Sequence, residues 1–135
     1  MFKVTESLEF CYGHRLLRYQ GKCAHLHGHN GRLEVTVEAR DLDSQSMVTD
    51  FSAIEKVVRS FVEQNLDHKL LLSKDDPLVE VLRARKEPLY VMDDDPTAEA
   101  IARHIFERVR SAGLPVSEVR LFETLTSVAS YSPDR

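Results

Sequence analysis

The chain has no long apolar run. No stretch approaches the roughly 20 residues a membrane-spanning helix needs, so the sequence predicts no transmembrane segment. Nor does it begin with a basic region followed by an apolar one, so no signal peptide is expected. It has little cysteine, two residues in 135; with no export signal, that implies free thiols and a cytoplasmic location. It lacks an excess of positive charge: the net charge is −4, where a nucleic-acid binder would carry a basic footprint. Tryptophan, internal repeats and low-complexity segments are absent, which excludes a repeat array and a disordered linker. The remainder is an ordinary soluble balance, 42% hydrophobic and 30% charged, of a length that builds one domain over 1–135.

Four of the six histidines and both cysteines lie between Cys11 and His29. His27 and His29 are two apart, so an extended chain puts both on one face, and Gly28 between them allows close backbone approach. Three imidazoles hold a zinc ion and leave a fourth position open, as catalytic sites require. His14 is the best third ligand. Cys23, His25, His27 and His29 share one parity, so a regular strand would present all four, more than a three-histidine site needs; Cys23 is itself a possible ligand. The residues alone also fit a polar loop with surface histidines.

Alternation predicts strands at Phe2–Cys11, Arg32–Arg40, Val116–Glu123 and Ser127–Tyr131. Cys11 reads as a small buried hydrophobe. Met47-Val48-Thr49 is expected to extend a hairpin partner. The apolar spacing of Phe51, Ile54, Val57, Val58, Phe61 and Val62 predicts a helix to Asn65, with Asp50 or Ser52 as its cap and Ser52–Glu55 as a capping box. Pro77 opens a short helix over 76–86. Leu70–Leu72 is ambiguous, Pro88–Met92 an edge strand, and Asp93–Asp95 a solvated turn. A second long helix runs from Pro96 to about Ser111, with Thr97 and Glu99 as its natural cap and first-turn acid. The order defines an α+β domain, helices packed on one face of an antiparallel sheet. Asp67-His68 fits a polar helix terminus, and Glu123, following Leu121-Phe122, fits either a solvated edge or a pocket carboxylate that grips a guanidine-like group.

Six blocks together resemble the tunnelling-fold pterin enzymes, 6-pyruvoyl tetrahydropterin synthase and 6-carboxytetrahydropterin synthase. The blocks are Phe10…His14-Arg15-Leu16, Cys23 with His27-Gly28-His29-Asn30, Met47 to Phe51, Leu66 to Lys69, Pro96 to Glu99, and Glu123-Thr124. The resemblance implies a tunnelling fold: an antiparallel sheet with two long helices and a short inserted one on one face. It implies zinc (Zn2+) on His14, His27 and His29, and Cys23 as the proton-abstracting thiolate. Asp67 and His68 would complete its relay from a neighbouring subunit of a homohexamer. Glu123 would anchor the pterin ring, with Thr97, Glu99 and Thr124 in the same pocket.

The three-residue gap between Cys23 and His27 is closer to the bacterial branch. The implied reaction is therefore conversion of 7,8-dihydroneopterin triphosphate to 6-carboxy-5,6,7,8-tetrahydropterin, releasing acetaldehyde and triphosphate, on the way to queuosine and other 7-deazaguanine nucleosides. Alternatives are triphosphate elimination to 6-pyruvoyl tetrahydropterin, and a non-catalytic zinc or pterin-binding module. Three departures from the family stand out. Cys11-Tyr12-Gly13 replaces a run of small residues, Gly31 stands where an aromatic usually follows, and the insert Ser73–Asp95 is longer. The second removes a tyrosine from the pocket wall; the insert is expected to cover a sheet edge or rim the site.

Overall fold

The computed structural model describes residues 1–134; Arg135, the last residue of the expected domain, lies outside them. Two 13-residue strands form its centre, β1 (Phe2–His14) and β2 (His27–Ala39), paired antiparallel along their whole length from Phe2↔Ala39 to His14↔His27. Along β1, Leu8, Phe10, Tyr12 and His14 are buried while Ser7, Glu9 and Cys11 are exposed, the period of two that a strand imposes. Cys11 is thus not the buried hydrophobe expected: its parity turns it to solvent.

Six strands form one sheet in the order β4-β3-β1-β2-β5-β6, completed by β3 (Lys69–Ser73), β4 (Leu89–Met92), β5 (Val116–Phe122) and β6 (Val128–Tyr131). β5 and β6 continue the antiparallel meander. β3 runs parallel to β1, and β4 parallel to β3, so the sheet is mixed rather than purely antiparallel. The helix α1 (Phe51–Asn65) separates β2 from β3 in the chain, and a crossover helix is what parallel pairing demands. Leu70–Leu72 resolves as β3; an apolar run of that length suits a strand with a neighbour on each side.

α1 and α3 (Ala98–Ser111) lie on one face, burying Ile54, Val58 and Val62 from the first and Ile101, Ile105, Phe106 and Val109 from the second. They pack against Leu33, Val35, Val37, Val119 and Leu121, all fully buried. Each such side chain contributes roughly 1.5–3 kcal/mol by leaving water. Asp50 caps α1, accepting from Ser52 N–H at 2.8 Å, and Glu55 pairs with Arg59 instead of closing a capping box. Thr97 caps α3, accepting from Ala100 N–H at 3.0 Å. Met47–Thr49 is not a strand. Asp43 accepts from the N–H groups of Gln45 and Met47, and that side-chain turn outcompetes a ladder there.

The insert, Ser73–Asp95, forms the short helix α2 (Leu78–Ala84) and the strand β4, which pairs with β3 at the far edge of the sheet. Buried Asp76 takes Arg15 bidentately at 2.5 and 2.7 Å, and Arg18 reaches Asp75 and Asp95. The segment therefore covers an edge and also grips the loop leaving His14. No helix among the described residues is long and apolar enough to cross a membrane.

Candidate metal centre

The β1–β2 register builds the site. His14 ends β1 directly opposite His27, the first residue of β2, and their rings lie 4.5 Å apart. His29, two residues on, returns to the same face and puts its ring 5.1 Å from both. One nitrogen from each of the three lies within 4.8 Å of the others. Gly28 sits between His27 and His29, where an added Cβ would come 3.1 Å from the Tyr12 carbonyl, tighter than most such contacts.

Backbone carbonyls set the tautomers. His14 Nδ1 lies 2.7 Å from Pro96 O, and His27 Nδ1 lies 2.7 Å from His25 O. A carbonyl only accepts, so each Nδ1 carries the proton and each Nε2 of the neutral ring is a bare lone pair, the arrangement found behind metal-bound histidines. His14 Nε2 and His29 Nε2 are buried without a hydrogen-bond partner. Unpartnered ring nitrogens at that depth call for a ligand, and a metal ion would fit them. Burial pushes the His14 imidazole down to about 4; the Pro96 carbonyl opposes this, and the charges His27 and His29 would carry add to it. His14 is thus neutral and ready to ligate at neutral pH.

Cys23 and His25 share the parity of His27 but not its strand. Lys22–Ala24 is a single 3-10 turn, and β2 begins only at His27. Cys23 stands outside the ligand cluster, half-buried, with its carbonyl accepting from Leu16 N–H at 2.8 Å; His25 is exposed. The register thus leaves three candidate histidine ligands rather than four residues of one face.

Glu123, just past β5, brings its carboxylate 3.8 Å from His14 Nε2 and 4.0 Å from His29 Nε2. Its N–H donates to Ser127 O at 3.0 Å, closing the β5–β6 turn, in which exposed Thr124 accepts from Thr126 N–H at 3.3 Å. Thr97 and Glu99 line a groove of about 410 Å³ with Asp95, Arg103 and Tyr131. Neither the histidines nor Glu123 and Thr124 line that groove; the link is Pro96, which accepts from His14 and precedes Thr97.

Asp67 and His68 touch each other at 3.0 Å. They can do so because they lie in a turn, where His68 takes a left-handed backbone (φ 60°), a strained conformation of the sort functional sites retain. Asp67 accepts from Cys11 N–H at 3.0 Å, and His68 N–H donates to Cys11 O at 2.6 Å. Burial works to raise the Asp67 carboxyl, but the Cys11 N–H, His68 and Lys69 hold it below the usual range. Among the described residues neither side chain contacts Cys23 or the histidines.

Sequence reasoning missed Tyr12. Its ring touches His14 at 5.3 Å and His29 at 5.7 Å; sharing the parity of His14 two residues earlier was the available signal.

The mixed sheet, the helices on one face and three histidines gathered at the loop end of the β1–β2 pair, where they could hold a metal ion, define a tunnelling-fold protein. The sequence profile of 6-pyruvoyl tetrahydropterin synthase matches residues 3–134, and the chain belongs to that family. It is 35% identical to 6-carboxy-5,6,7,8-tetrahydropterin synthase of Rickettsia bellii over 92% of this chain and 95% of that one. With the enzyme of the same name from Haemophilus influenzae it shares 31% identity over 97% and 99%. Among solved structures, an uncharacterized protein from Wolinella succinogenes superposes with a TM-score of 0.85 at 27% identity, covering 98% of each chain. The 6-pyruvoyl tetrahydropterin synthase of Caenorhabditis elegans gives 0.75 at 23% identity, covering 98% of this chain and 96% of that one, and supports the fold alone. The chain is an enzyme of the lyase class.

Proposed function

We propose that the protein converts 7,8-dihydroneopterin triphosphate to 6-carboxy-5,6,7,8-tetrahydropterin, releasing acetaldehyde and triphosphate. The observation that carries the reading is the convergence of His14, His27 and His29 beside the Glu123 carboxylate. The names of the 6-carboxy-forming relatives support the choice of product.

His14, His27 and His29 would hold zinc, which supplies Lewis acidity toward a side-chain oxygen and so acidifies the neighbouring C–H. Glu123 would accept two parallel hydrogen bonds from the amino-pyrimidine edge of the ring and fix the reacting carbon. Positioning of that kind is worth about 7–11 kcal/mol in good intramolecular systems. Thr97, Glu99 and Thr124 would line the remaining pocket. Cys23 would take the proton. A thiol needs a nearby positive group to ionise at neutral pH, and Asp67-His68 is an oriented imidazole suited to that task. Within one chain no described contact joins the dyad to Cys23. This favours a homo-oligomer, read as a hexamer, with the dyad of one copy at the thiol of the next. His68, 78% exposed, is free to project into such an interface. The catalytic unit is read as one domain over 1–135. The free thiols of Cys11 and Cys23 suit a reducing cytoplasm.

Incubation with 7,8-dihydroneopterin triphosphate, followed by mass spectrometry and an acetaldehyde assay, tests this reading. Acetaldehyde with the 6-carboxy product supports it. Triphosphate release with 6-pyruvoyl tetrahydropterin would move the enzyme to the other branch, and no conversion would leave a binding module.

A further inference from the structure

Tyr12 is the largest fully buried side chain of the protein, 1% exposed, and stands directly opposite His29 in the β1–β2 ladder. Its ring is held on three sides: stacked on Phe10 at 5.1 Å, edge-on to His14 at 5.3 Å and tilted against His29 at 5.7 Å. Gly31 makes the room, since a Cβ there would lie 2.9 Å from Tyr12 Cε1. The ring alone would be ordinary packing, and phenylalanine would serve for it. The hydroxyl is the anomaly: it is sealed from solvent and has no hydrogen-bond partner. Leaving such a group unmet costs about 1–3 kcal/mol, so a buried phenol normally has an acceptor.

Glu123 is the candidate acceptor. The Glu123 carboxylate lies 3.8 and 4.0 Å from the Nε2 atoms of the two histidines against which the Tyr12 ring packs. His14 gives Glu123 no proton, because its Nδ1–H is committed to Pro96 and its Nε2 is bare. Tyr12 is therefore a donor without an acceptor, packed on the same two histidines that the Glu123 carboxylate approaches.

We propose that Tyr12 is a positioning residue: in the occupied site its hydroxyl donates to one oxygen of Glu123 and turns the carboxylate edge-on to the flat heterocycle it anchors. The inference rests on the reading of Glu123 as the ring anchor. It places a specificity group on β1, two residues before His14. A carboxylate held from one side keeps its other lone pairs aimed at a paired N–H edge, and a ring lacking that edge gains nothing from it.

The test uses the metal-loaded full-length protein, with 7,8-dihydroneopterin as probe, its binding followed by fluorescence. Tyr12→Phe is expected to retain metal content and melting temperature, since it removes only an unpartnered hydroxyl, yet to bind the probe about tenfold more weakly. In a Glu123→Ala background, which removes the acceptor, the same change should make less than about a twofold difference. Equal binding by Tyr12→Phe and wild type would overturn the inference and leave Glu123 as anchor. A loss that persists unchanged in Glu123→Ala would overturn it too, because the hydroxyl would then act elsewhere. No probe binding by the wild type would overturn the anchor reading and this inference together.

Discussion

His14 Nδ1 lies 2.7 Å from the carbonyl oxygen of Pro96, 82 residues further along the chain. One hydrogen bond thus ties the last residue of β1 to the entry of α3 and fixes which nitrogen the ring offers. Replacing His14 by alanine removes both the lone pair and the tether. The wild type is expected to hold about one zinc per chain, and His14→Ala or His27→Ala to hold almost none. Metal analysis of dialysed protein checks this; unchanged content in His27→Ala would remove that residue from the ligand set.

The histidine pair at His27 and His29 was legible in the sequence because a strand's period of two is geometric. His14 was legible only as the best remaining candidate, since its place opposite His27 depends on a register that no local pattern states. Cys23 and His25 shared the parity, but a 3-10 turn ends the alternation before it reaches them. The parallel pairing of β3 and the side-chain turn at Asp43 were illegible for a similar reason: direction and partner are tertiary choices. Thr97 looked like a cap and is one, but nothing in its sequence said that the residue before it would hold a metal ligand in place.

The Arg15–Asp76 pair predicts an acid-sensitive anchor. Asp76 has no exposed side-chain surface and Arg15 is 21% exposed. The Arg15 guanidinium, with help from the Leu78 N–H, holds the Asp76 carboxyl below the usual range against the opposing effect of burial. A depressed folded value means that the stabilisation is complete well above the ordinary aspartate value of about 3.9. It is lost as pH falls through the folded value. Asp76→Asn should cost about 3 kcal/mol at pH 7, toward the low end for breaking a buried pair because Arg15 keeps some water. Urea melts at pH 7 and pH 3 should show the difference between wild type and variant shrinking at the lower pH.

Cys23 lies outside the ligand cluster, so its removal should separate chemistry from metal. Cys23→Ala is expected to keep wild-type zinc content and lose about two to four orders of magnitude in turnover, the usual range for an essential acid–base group. Loss of zinc in this variant would make Cys23 a ligand, and full activity would remove it as the base.

Gly31 gives the last prediction, and here two effects of opposite sign compete. Glycine to alanine in extended backbone usually stabilises by about 0.4–1 kcal/mol, because the unfolded chain loses freedom. Gly31 has no positive φ to forbid the change. Against this, the new Cβ would sit 2.9 Å from Tyr12 Cε1. That contact could be relieved cheaply only if the ring could move, and Phe10, His14 and His29 hold it on three sides. Overpacking a confined site costs about 1–3 kcal/mol, so the clash wins and Gly31→Ala should be net destabilising by about 1–2 kcal/mol. The sign should reverse when the ring is gone: in a Tyr12→Ala background, already weakened by its cavity, Gly31→Ala should be neutral or stabilising. Urea unfolding of the four proteins in this cycle measures the coupling directly. An equal cost of Gly31→Ala in both backgrounds would show that the glycine serves the backbone rather than the tyrosine.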